Sequence, residues 1–122
     1  MFKPGDVVIV SGLLDPQGRN PKDRARVIIP SIGRIMPAGT LDVVAITTLL
    51  PNPLPFDHVL LPWQPQGSTR SRTGLNKPNA AVCTWLVEVD ESRVARTIGH
   101  ISGKHLLRIA AVLRALRDGE IP

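Results

Sequence analysis

Cysteine, aromatic residues and long apolar runs are all scarce in this chain. Cys83 is the single cysteine, so no intrachain disulfide forms, and no Cys/His set has the spacing of a zinc site. Within Ala81-Val82-Cys83-Thr84-Trp85 it reads as a small core residue rather than a nucleophile. Tyrosine is absent, and two Trp and two Phe complete the aromatic set. No stretch approaches the ~20 apolar residues that a membrane span needs. Met1-Phe2-Lys3-Pro4-Gly5 lacks the apolar run of a signal peptide, so a soluble cytoplasmic protein is expected.

Acidic residues are also in deficit: ten Asp and Glu face fifteen Lys and Arg, a formal net charge of +5. Most of the basic residues are Arg, whose flat donor fork suits phosphate, so the excess points towards a polyanionic partner. A solvated basic surface kept soluble by repulsion is the simpler alternative. At 43% hydrophobic and 20% charged residues the composition is that of a globular protein, neither disordered nor fibrous. A length of 122 residues suits one domain over 1–122 with one modest core.

What is present is a series of short β-type runs punctuated by Gly and Pro. Gly5-Asp6 launches Val7-Val8-Ile9-Val10, which reads as a buried strand closed by Ser11-Gly12. Asp15 to Asp23 has no apolar residue beyond proline and reads as an exposed loop leading into Arg24. Val27-Ile28-Ile29 is a second strand ended by Pro30, and Leu41 to Thr48 a third. Pro51, Pro53 and Pro55 exclude a helix after it. His58-Val59-Leu60-Leu61 is a fourth strand, Pro62 to Arg72 a polar loop, and Ala80 to Val89 a fifth strand. The period then changes: Leu106, Ile109, Ala110, Leu113 and Leu116 fall on one helical face, with Ser102 as N-cap and Arg114 and Arg117 near the C-terminal end. Several short strands followed by one helix predict a mainly β fold, a small antiparallel barrel or half-barrel with the helix packed on it.

The order of these segments resembles the MazF/PemK-like toxins, small endoribonucleases of bacterial toxin–antitoxin systems. The residues that carry the resemblance are Gly5-Asp6, Asp15-Pro16-Gln17-Gly18, Arg24-Ala25, Val44-Ala45-Ile46-Thr47, Gly74 to Asn79, Ile98-Gly99-His100-Ile101-Ser102, and Leu106 to Leu116. They span nearly the whole chain. The resemblance implies an SH3-like barrel, a homodimer, an acidic antitoxin partner, and sequence-selective RNA cleavage without a metal or other cofactor. In such enzymes the 2′-hydroxyl attacks the adjacent phosphodiester, leaving a cyclic phosphate and a 5′-hydroxyl.

The family's catalytic pair carries over to Arg24 and Thr47. Both residue types suit the chemistry, because charge gathers on the phosphoryl oxygens in the transition state, where a guanidinium and a hydroxyl can hydrogen-bond it. A guanidinium has no lone pair to accept a proton, so Arg24 is assigned as a stabiliser and not as a base. Two features depart from the family: Ala25 stands where a proline usually follows the arginine, and the preceding loop offers Asp15 and Asp23 rather than a glutamate. No residue is assigned as the base. Read without the resemblance, Arg24 is a strand-start cation and Thr47 a β-former bonded to backbone.

Arg19, Lys22, Arg26, Arg70, Arg72 and Lys77 are candidates for phosphate contacts along an RNA groove, with Thr48 beside Thr47 on the opposite face. Trp63, beside Pro62 and near Pro65, is the ring placed in a loop where it can stack on a base, whereas Trp85 reads as core. His58, His100 and His105 are expected at the surface or at caps. Two further functions compete with the nuclease: a non-catalytic barrel that holds RNA or an antitoxin, and a CcdB-type gyrase poison. The latter depends on a Trp-Gly-Ile terminus, and this chain ends Gly119-Glu120-Ile121-Pro122.

Overall fold

A computed structural model describes residues 2–13, 19, 21–30, 37–65 and 72–119. β-Branched runs supply its strands: β1 (Asp6–Leu13), β2 (Lys22–Ile29), β3 (Thr40–Thr47), β4 (His58–Leu60), β5 (Ala80–Asp90) and β6 (Val94–His100). They pair antiparallel in one sheet of order β4-β5-β3-β2-β1-β6, and α1 (Gly103–Arg117) follows. Ser102 caps the helix as expected, its hydroxyl oxygen accepting from the His105 N–H at 3.4 Å, and Arg114 and Arg117 occupy the last turn.

One face of the sheet carries Val7, Val27, Ile29 and Val44, against which α1 packs Ile109 and Leu113. The opposite face buries Val8, Val10, Ile28, Val43 and Val89, with Val87 and Val94 against them. Among the described residues that second cluster draws on β1, β2, β3, β5 and β6 and on no helix, as a sheet curling round it would give. Residues 72–75 close the curl by bonding to both margins: the His100 N–H donates to the Arg72 carbonyl at 2.7 Å and the Gln64 N–H to the Leu75 carbonyl at 3.0 Å.

The glycines of this closure are dictated by contact. A side chain on Gly99 would overlap the Arg72 carbonyl oxygen, and one on Gly74 (φ +73°) the Ile98 carbonyl. Thr73, buried beside them, donates its hydroxyl to the Pro62 carbonyl at 2.7 Å and accepts from the Leu75 N–H at 3.2 Å. The Gly74 to Asn79 and Ile98 to Ser102 motifs thus include the seam that makes the sheet a barrel.

Two expectations change. Lys22 and Asp23 belong to β2 rather than to a loop, because Lys22 pairs with Leu13 and extends the hairpin ladder. Among the described residues six strands form where five were expected: β6 is a largely exposed edge strand, and without an alternating buried face it gives no period-2 signal. Much of the two expected loops, residues 15–18, 20 and 66–71, lies outside the described residues.

Candidate active site

The strand faces put the sequence-predicted pair on one side of the sheet. Val10 faces Arg24 and Val8 faces Arg26 between β1 and β2, and Arg26 faces Ala45 between β2 and β3. The β2–β3 pairs end at Arg26 and Ala45, and because side chains alternate along each strand, Arg24 shares the face of Arg26 and Thr47 the face of Ala45. Lys22, Arg24, Arg26 and Thr47 therefore lie on the side away from α1.

Arg24 is half-buried, and its Nε donates to the Leu13 carbonyl at 3.2 Å, tying the guanidinium to the end of β1. The Thr47 oxygen accepts from the Leu49 N–H at 3.1 Å, which leaves its hydroxyl proton to donate. Arg26 behaves differently from the exposed phosphate contact expected of it. It is 3% exposed, its guanidinium carbon stands 5.2 Å from the Trp85 ring centroid, and its Nη1 donates to the Ala25 carbonyl at 2.7 Å. Burial, and then the charge of Arg24, lower its pKa from 12.5 to about 10.

The remaining candidates are more scattered. Arg19, Lys22, Thr48, Trp63, Arg72 and Lys77 are exposed, and Arg70 lies outside the described residues. Arg72 has a clear structural duty through its carbonyl in the barrel seam. Trp85 is half-buried under Arg26 rather than wholly in the core. Cys83 is a core residue as expected, its thiol pushed up to about 12 by burial and then by the charge of Asp57, which makes it a poor nucleophile. His105 takes a cap role, its Nδ1 lying 2.8 Å from the Ser102 hydroxyl.

The sequence reading missed one polar cluster. His58 Nδ1 meets Asp57 Oδ1 at 2.7 Å, and the Thr84 hydroxyl donates a short hydrogen bond to the other Asp57 oxygen. Burial pushes the Asp57 carboxyl up, but the bonds from Thr84 and His58 and the charge of His58 outweigh it and hold the group below its ordinary value. The adjacency of Asp57 and His58 at a strand start was the available signal. This cluster is separate from Arg24 and Thr47: Val82 pairs with Ala45 on one side and His58 on the other, which puts His58 three strand spacings, about 14 Å, from Arg26.

A cavity of about 450 Å³ lined by Ile29, Asp42, Leu86 and Leu113 opens on the helix-covered face, away from Arg24 and Thr47. Among the described residues no three His, Cys, Asp or Glu side chains gather as a metal site would require, and no helix is long and apolar enough to cross a membrane.

No protein-family model matches the chain, and no curated protein resembles it in sequence. Solved structures do. The Mycobacterium tuberculosis toxin MazF-mt6 is 19% identical, with 93% of this chain and 96% of that one covered at a TM-score of 0.63. MazF from Deinococcus radiodurans is 14% identical over 96% of both chains, with a TM-score of 0.67. A mycobacterial endoribonuclease solved in complex with its cognate antitoxin is 15% identical over 100% of this chain and 98% of that one, with a TM-score of 0.64. The fold of this chain is the MazF fold.

Proposed function

We propose that this protein is the toxin of a toxin–antitoxin pair and an endoribonuclease of the MazF kind, with Arg24 and Thr47 as its phosphate clamp. The observation that carries the reading is an anchored guanidinium on β2 and a hydroxyl on β3 that share the helix-free face of a MazF-fold barrel. Arg24 stabilises charge on the phosphoryl oxygens as the 2′-oxygen attacks phosphorus, and the Thr47 hydroxyl donates to the same centre. The P–O5′ bond breaks, the proton released by the 2′-hydroxyl to solvent being balanced by the one the leaving 5′-oxygen takes up, which leaves a cyclic phosphate and a 5′-hydroxyl, and no step draws on a metal. Exposed Lys22 on the same face holds a flanking phosphate, so binding weakens as salt rises.

Like the endoribonuclease solved in complex with its cognate antitoxin, the chain binds a protein partner; here the partner's acidic tail competes with RNA for this basic face and so neutralises the toxin. It acts as a homodimer in the bacterial cytoplasm and selects a short RNA sequence. The test is to incubate purified protein with mixed RNA in excess EDTA and to identify the product ends. Discrete fragments with 5′-hydroxyl and cyclic phosphate ends support the proposal. RNA that shifts in a gel and never shortens would establish a binding barrel instead.

A further inference from the structure

We infer that Arg26 is a positioning residue of the Arg24–Thr47 site: a fixed, buried cation whose unneutralised field makes the clamp more attractive to a phosphodiester and to its transition state. The inference rests on the function proposed above and adds a residue to that site.

The surroundings of Arg26 are unusual for a buried guanidinium. Its cross-strand neighbours are Val8 and Ala45, the ring beneath it is Trp85, and the charged group acting on it is Arg24, of the same sign. Among the described residues it has no carboxylate partner, and its Nε makes no hydrogen bond. Buried charges are ordinarily paired, because desolvation is not recovered otherwise. An apolar side chain in this position would fill the space without that cost.

The group is also held still. Nη1 is tied to the Ala25 carbonyl and the plane sits by Trp85, so the charge cannot swing out to solvent as a surface arginine does. A cation fixed in low dielectric acts through space over several ångströms, and it stands two residues from Arg24 on the same strand face. Negative charge on the phosphoryl oxygens is matched by both guanidiniums at once. Because that charge grows in the transition state, the benefit falls on kcat more than on KM. Arg26 does this through the potential at the clamp and makes no contact of its own with substrate.

The test compares the parent with Arg26→Met, Arg26→Lys and Arg24→Ala, each checked for thermal unfolding, on one RNA substrate across pH. Arg26→Met is expected to lower kcat ten- to a hundredfold with KM within about threefold of the parent. Arg26→Lys keeps a charge, but a buried ammonium gives up its proton more readily than a guanidinium. Its rate is therefore expected to match the parent near pH 6.5 and to fall away on the alkaline side at lower pH than the parent does. A purely structural role predicts equal losses for both variants and a pH profile of parental shape. An Arg26→Met kcat within twofold of the parent, beside an inactive Arg24→Ala, would overturn the inference, as would an Arg26→Lys profile superimposable on the parent's. Should Arg24→Ala cleave like the parent, the site assignment itself falls.

Discussion

Replacing Arg26 by Met should make this protein more stable. The folded state holds the Arg26 charge against a pKa lowered from 12.5 to about 10, and at 1.36 kcal/mol per unit this amounts to roughly 3 kcal/mol at neutral pH. The direction follows from linkage: folding disfavours the protonated form, so the cost is complete below about pH 10 and is relieved as pH rises above it. Methionine removes that cost while keeping an unbranched chain against Trp85. Lost with the guanidinium are its cation–π contact and its bond to the Ala25 carbonyl, about 1 kcal/mol each. The net gain is about 1 kcal/mol, or about 4 °C in Tm for a domain of this size. Differential scanning calorimetry at pH 7 measures it. A Tm several degrees below the parent's would refute the reasoning, since it would show that the guanidinium is a net stabiliser. Stability gained together with activity lost is the signature of a residue kept for function.

Three other outcomes follow from the geometry. Gly99→Ala presses a methyl group into the Arg72 carbonyl at the barrel seam and should cost about 1–3 kcal/mol or more, read as a lowered midpoint in urea with unchanged slope. Asp57 is held below its ordinary carboxyl value, so its contribution is present above about pH 4 and is lost as pH falls through the folded value. Asp57→Asn should lower Tm at pH 7 and flatten the loss on acidification, and parallel acid curves for the two proteins would contradict this. Lys22→Ala, on the exposed part of the Arg24 face, should weaken RNA binding and reduce the log–log salt slope by about one, whereas Arg114→Ala on the helix should leave the slope unchanged.

Much of the fold was legible because its strands are β-branched and its helix carries a clean apolar face. β6 was not: Val94-Ala95-Arg96-Thr97 lies mostly exposed at the sheet edge, and with neither face consistently buried no alternation is written into the sequence. Arg24 and Thr47 could be singled out by motif order, yet only the β2–β3 register shows that they share a face of the sheet. Arg26 shows the opposite limit. As a residue type it looks like a surface cation, and its burial depends on Trp85, fifty-nine positions later, arriving over it after the break in register between Val44 and Ala45 on the β3–β5 ladder. The Asp57–His58 pair was open to view, but its third member, Thr84, is contributed by β5.

Most directly, the account is tested by single-turnover cleavage of one RNA by the parent, Arg24→Ala and Thr47→Ala, in EDTA and at equal folded concentration. Removing a preorganised donor from a developing oxyanion costs on the order of 10²–10³ in rate. The account predicts losses of that size for both variants, with the larger at Arg24. Equal cleavage by all three proteins would contradict it.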